Sequence, residues 1–281
     1  MQKVTRLFDF PYYQLEKHAL DKALVSKKNG KWISTSTQEY INKANAISRG
    51  LLRLGVQPND KIAVISLTNR TEWNIMDIGI LQLGAQNVPV YPTISEEDYA
   101  YVLNHSEAKY CFVSCGEVYE KVAAIKDQVP SLKNIFSFDD LSDCESWEKV
   151  LELGEDTTNQ KEVDRLKDEV SPDDLATLIY TSGTTGHPKG VQLTNDNFSS
   201  CFVMNDDSMY REMDEGEVNL VCMPIFHVAG TNMGLAGMVT GAKNIIIPEV
   251  DPTLILTLIE QEKIQHALFV PAVILFLVQH P

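Results

Sequence analysis

The stretch Tyr180-Thr181-Ser182-Gly183-Thr184-Thr185-Gly186-His187-Pro188-Lys189-Gly190 decides how this chain is read. The apolar run Leu175-Ala176-Thr177-Leu178-Ile179-Tyr180 leads into it and predicts a buried strand. The loop that follows carries three glycines, four hydroxyl side chains (Thr181, Ser182, Thr184, Thr185) and one lysine, Lys189. Glycines let the backbone turn sharply and bring N–H groups against a ligand. With the hydroxyls as donors and Lys189 as positive charge, the composition predicts a cradle for phosphate oxygens.

Known phosphate and nucleophile loops do not fit. A Walker A loop places Gly-Lys-Ser/Thr after four residues, whereas Lys189 follows Pro188 and precedes Gly190. A nucleophile elbow needs glycine two residues before the serine, and position 180 is tyrosine. The dinucleotide fingerprint G-x-G-x-x-G is absent as well. The competing reading is a Gly/Thr-rich surface turn without a ligand.

Upstream, strands alternate with helices. Trp32 and Ile33 suit an edge strand, and residues 1–30 read as an opening segment with a short helix. Ser36 and Glu39 have capping-box spacing ahead of a helix that ends at Gly55 and Pro58. Strands are predicted at 61–66, 87–91, 109–114 and 134–138, and helices at 71–83, 95–105 and 118–129. Strands joined by helices of this length imply parallel pairing. Downstream, strands are expected at 190–193, 219–223, 244–248 and 265–270. Helices are expected from Thr194 or Asn195 to about 209, then at 231–240, 252–262 and 271–279. The expected fold class is therefore α/β, with mostly parallel sheets and flanking helices.

Composition narrows the function. The 281 residues carry a net charge of −15, which argues against a nucleic-acid groove. Residues 139–174 hold 14 acidic and 4 basic side chains, so this connector accounts for −10 of the total; it reads as a solvated surface with a short helix near Trp147–Leu153. Five cysteines (Cys111, Cys115, Cys144, Cys201, Cys222) form neither a zinc spacing nor a disulfide framework and suit a reducing cytoplasm. No metal-ligating set is evident. The run Ala267 to Val278, broken by Pro271, is too short to span a bilayer.

As it stands, Tyr-Thr-Ser-Gly-Thr-Thr-Gly-x-Pro-Lys-Gly resembles the phosphate loop of the acyl-adenylate-forming superfamily, which includes acyl-CoA synthetases. Two more segments carry the resemblance. Gly84-Ala85-Gln86-Asn87-Val88-Pro89-Val90-Tyr91-Pro92 looks like the family's Gly-Ala-x-x-x-Pro-x-x-Pro, and Met223-Pro224-Ile225-Phe226-His227-Val228-Ala229-Gly230 like its Pro-x-Phe-His segment. The likeness runs from about Tyr12 to Pro281. It implies one truncated large domain over 1–281. Its parts are a first sheet with helices (1–138), the acidic connector (139–174), then the phosphate loop and the start of a second sheet (175–281).

The resemblance implies a two-step reaction. A fatty carboxylate attacks the α-phosphate of ATP, pyrophosphate leaves, and the thiol of coenzyme A displaces AMP from the acyl-adenylate. Thr181, Ser182, Gly183, Thr184, Thr185, Gly186 and Lys189 would face the β- and γ-phosphates, with Mg²⁺ as counter-ion. His227 would serve catalysis on the acyl and pantetheine side, or be a packed histidine at a strand end satisfied by a backbone group. His187 falls at a variable position without a role, and His18, His105, His266 and His280 show no constellation. A fatty substrate implies a cytoplasmic protein that meets the inner membrane face at its periphery. The early segments look like long-chain ligases, and the His227 segment like a shorter-chain branch. The family's domain runs on to a Tyr-Gly-x-Thr-Glu segment and a small lysine-bearing domain. The chain is thus expected to be an N-terminal fragment of a fatty acid–CoA ligase. The alternatives are a catalytically dead truncated domain and an adenylation domain that loads a carrier-protein thiol.

Overall fold

Alternating strands and helices must bury a sheet face against each apolar helix stripe, and here they do so in two sheets. A computed structural model describes residues 4–181, 187–203 and 213–280. The chain opens with α1 (Asp9–His18), β1 (Leu24–Lys28), β2 (Lys31–Thr35) and α2 (Thr37–Arg53). It continues through β3 (Lys61–Ile65), α3 (Thr71–Leu81), β4 (Gln86–Val90), α4 (Glu96–His105), β5 (Ala108–Val113), α5 (Gly116–Ala124) and β6 (Asn134–Ser137). The connector holds β7 (Glu145–Ser146), α6 (Glu148–Leu153) and α7 (Gln160–Glu169). Then come β8 (Leu175–Thr181), β9 (Lys189–Thr194), α8 (Asn195–Val203), β10 (Val218–Val221) and α9 (Val228–Thr240). The described chain closes with β11 (Lys243–Ile246), α10 (Pro252–Glu262), β12 (His266–Ala267) and α11 (Pro271–Val278).

One sheet has seven strands in the order β7-β6-β5-β3-β4-β8-β9, parallel except for β9. The other has five in the order β12-β10-β11-β1-β2, parallel except for β2. Ile62, Ala63, Val64 and Ile65 of β3 are all buried, as a strand covered on both faces requires. Ala63 and Ile65 pack with Tyr99, Val102, Val118 and Val122 of α4 and α5, while Ile62 and Val64 face the other way, with Ile47, Leu51, Trp73 and Ile78 of α2 and α3. A third cluster joins Leu220 and Ile245 of the five-stranded sheet to Ile255, Leu258 and Val273 of α10 and α11. Helix α9 packs on α1, β10 and β11, so helices fill the space between the sheets and cover their outer faces.

The predicted caps form: Ser36 accepts from the Glu39 N–H and Ser95 from the Asp98 N–H, both at 3.1 Å. Several expectations are corrected. Residues 1–30 contain strand β1, which turns back into β2 through Asn29-Gly30, both at positive φ. Sheet membership also cuts across the sequence division: β1 and β2 belong to the five-stranded sheet, and β8 and β9 extend the seven-stranded one. The reason is pairing, since β8 hydrogen-bonds beside β4 and β1 beside β11. The acidic connector gains a second helix, α7, whose Val163 and Leu166 are buried while its charges face solvent. Strand β12 is only two residues long, and helix α9 begins three residues earlier than expected. The expected end of α8 near position 209 lies outside the described residues.

Candidate active site

Strands β8 and β9 form an antiparallel hairpin on the edge of the parallel sheet, and the loop joining them is the Gly/Thr-rich stretch. In this hairpin Thr181 pairs with Lys189, Tyr180 with Gly190 and Ile179 with Val191. The hydroxyl of Thr181 and the ammonium of Lys189 therefore start from facing positions at the loop's mouth, and both residues are exposed. Ser182, Gly183, Thr184, Thr185 and Gly186 lie outside the described residues.

The mouth is set by the neighbouring strand. Asn87 of β4 pairs with Thr177, and Thr177 Oγ1 donates to the Asn87 carbonyl at 2.9 Å. Because β4 and β8 are parallel, Tyr91, just past the end of β4, and Thr181 leave the sheet at the same edge. The carboxyl ends of parallel strands are where open α/β sheets receive ligands.

The third segment arrives from the five-stranded sheet. Asn69 holds it: its Nδ2 donates to the carbonyls of Met223 and Ile247, both at 3.1 Å, and its Oδ1 accepts from the Ile225 N–H at 2.9 Å. Phe226 then meets Tyr91 edge to face, with centroids 5.0 Å apart. A small cavity of about 10 Å³ lies between the segments, lined by Trp73, Asp77, Pro89, Thr177, Ile179 and Phe226 among others. Burial pushes the Asp77 carboxyl up to about 6, against the opposing pull of the hydrogen bond from Asn87 Nδ2 at 2.7 Å.

His227 is an exposed N-cap of α9. Its Nδ1 accepts from the Ala229 N–H at 3.2 Å, so in the neutral ring the proton sits on Nε2, which is then a donor. Gly230 lies in the first turn, where an added Cβ would stand 2.2 Å from the Pro224 carbonyl oxygen, so only glycine fits there. The sequence left two contributors unread. Asn69 carries no motif, and only its buried position between two sheets reveals it. His105 belongs to no motif in the sequence, yet its Nδ1 lies 2.8 Å from Tyr180 Oη. Burial drives the Tyr180 phenol up to about 12, so it stays protonated at neutral pH.

Among the described residues, no cluster of three or more His, Cys, Asp or Glu could hold a metal ion. No described helix is long and apolar enough to cross a membrane. The five cysteines are free thiols; burial pushes Cys222 up to about 11, which keeps it protonated at neutral pH.

Together these features define a two-sheet α/β domain with a Gly/Thr-rich hairpin loop at the carboxyl edge of one sheet. Solved acyl-CoA synthetases share that fold. A long-chain-fatty-acid-CoA ligase from Archaeoglobus fulgidus superposes with a TM-score of 0.82 at 22% identity, over 97% of this chain and 53% of that one. The N-terminal domain of FACL13 from Mycobacterium tuberculosis gives 0.80 at 22% identity, over 98% of this chain and 65% of that one. The chain belongs to the AMP-binding enzyme family, whose profile matches residues 12–281. Among its relatives, the long-chain-fatty-acid–CoA ligase FadD15 of Mycobacterium tuberculosis is 35% identical over 210 residues, 74% of this chain and 34% of that protein. The ligase ACSBG2 of Xenopus laevis is 31% identical over 214 residues, 74% of this chain and 29% of that protein. The chain thus spans about a third of the length of these relatives.

Proposed function

We propose that the protein carrying this chain activates a fatty acid with ATP and passes the acyl group to coenzyme A. The observation that carries the reading is the convergence of three segments at one sheet edge: the Thr181–Lys189 loop mouth, Tyr91 after β4, and Phe226-His227 ahead of α9. Charge that develops on the leaving pyrophosphate needs donors and a cation already in position. Thr181, Ser182, Thr184 and Thr185, the backbones of Gly183 and Gly186, and Lys189 supply them in this reading. His227 offers its Nε2–H on the acyl side. The carboxylate oxygen attacks the α-phosphorus, the bond to the β-phosphate oxygen breaks, and pyrophosphate leaves; the coenzyme A thiol then attacks the acyl carbon and AMP departs. Membrane contact would be transient and peripheral, made to collect the fatty acid.

Exchange of labelled pyrophosphate into ATP tests the first step. Exchange by the purified protein that rises with added fatty acid is expected, followed by an acyl thioester when coenzyme A is supplied. A folded protein that gives no exchange overturns the reading and leaves a catalytically dead domain. Exchange with a thioester formed only on a carrier protein moves the acceptor.

A further inference from the structure

Helix α4 holds the chain on both sides of the Gly/Thr-rich loop. Tyr101 and His105 stand four residues apart and so share one face of that helix. Their rings stack, with centroids 5.4 Å apart and planes 24° from parallel. On its other side Tyr101 stacks more closely on His187, at 4.5 Å and 14°. His105 in turn reaches Tyr180, through the 2.8 Å contact of Nδ1 with Oη and an edge-on ring contact at 5.7 Å. Tyr180 lies across its partner in β9: a Cβ on Gly190 would be 3.1 Å from Tyr180 Cζ. Tyr180 precedes the loop and His187 follows it, so a single helix grips both flanks.

We infer that Tyr101, with His105 and His187, is a positioning residue for ATP: the aromatic column ties Tyr180 and His187, the two flanks of the loop, to one helix. The inference rests on the reading of that loop as the phosphate site. None of the three side chains needs to touch the nucleotide. Their effect is to hold Tyr180 and His187 in place before the nucleotide arrives, which lowers the ordering cost of binding.

Three variants test it: Tyr101→Ala, Tyr101→Phe and His187→Ala, the last at an exposed position that tolerates truncation. Pyrophosphate exchange gives separate KM values for ATP and fatty acid. Proton NMR of the imidazoles reports the stack itself, because His187 ring protons over Tyr101 are shifted upfield. In Tyr101→Ala and His187→Ala the KM for ATP should rise by about 5–10-fold, with kcat and the KM for fatty acid within about twofold of the parent. Tyr101→Phe should restore the parent values and keep the upfield shift. An unchanged KM for ATP in Tyr101→Ala and His187→Ala, with the His187 shift lost in Tyr101→Ala, overturns the inference. So does a parallel loss in every kinetic constant and in melting temperature, which marks a merely structural contact. No exchange by the parent protein overturns the functional reading and this inference with it, even where the shift shows the stack in place.

Discussion

The side chain of Asn69 donates to the carbonyl of Met223 at 3.1 Å, across the boundary between the two sheets. The same carboxamide serves Ile247 and Ile225, so one residue after β3 fixes where the Phe226-His227 segment leaves the other sheet. Asn69 is buried, and each of these partners would lose its hydrogen bond if the side chain were cut back. Asn69→Ala should lower the stability of the folded chain by about 2–4 kcal/mol, the cost of leaving several buried groups unpaired. A urea unfolding midpoint equal to the parent's would remove Asn69 from this role.

His227 combines a cap with a candidate contact, and two substitutions separate them. Asparagine is a good N-cap residue, so His227→Asn should keep the stability of α9, whereas His227→Ala should cost about 1 kcal/mol. Both remove the ring Nε2–H and should slow thioester formation alike. If His227→Asn is as active as the parent, the ring serves only as a cap.

The burial of Asp77 makes stability depend on pH. Its folded-state pKa of about 6 lies above the ordinary carboxyl value, so the fold favours the protonated form. The associated stability is fully present below about pH 4 and is lost as pH rises through about 6. Asp77→Asn does not titrate and should therefore gain on the parent between pH 4 and 8, by a margin of up to about 3 kcal/mol. Thermal melts of the two proteins across that range check the sign; a gap that stays constant or narrows on raising the pH contradicts it.

Gly230 marks the closest backbone approach in the site. Its missing Cβ would overlap the Pro224 and Met223 carbonyl oxygens, at 2.2 and 2.6 Å. Backbone cannot yield as a flexible side chain does, so Gly230→Ala should cost about 3 kcal/mol or more and displace the His227 cap. Differential scanning calorimetry measures the first effect and the His227 NMR signal the second.

The hairpin of β1 and β2 shows how a local signal can be present and passed over. Asn29-Gly30 is a strong two-residue turn signal, but the lysines on both sides hide the alternation that marks a strand. Helix α7 escaped for a related reason: its mean composition is polar, and only Val163 and Leu166 face inward. The ring contacts of His105 and His187 are not legible in the sequence, because a stack through Tyr101 joins residues 82 positions apart, which no spacing rule encodes.

The sequence by itself determined the strand–helix alternation, the helix caps at Ser36 and Ser95, and, through the residue types of the Gly/Thr-rich loop, the family. Those features rest on local chemistry: hydrophobic period, side-chain hydroxyls next to helix N–H groups, and residue types in a short run. The tertiary structure alone decided which sheet each strand joined, which carboxamide tied the sheets together and which aromatic rings flanked the loop. Strand order depends on backbone pairing between distant segments, and a buried polar contact such as that of Asn69 exists only once the surfaces around it have closed.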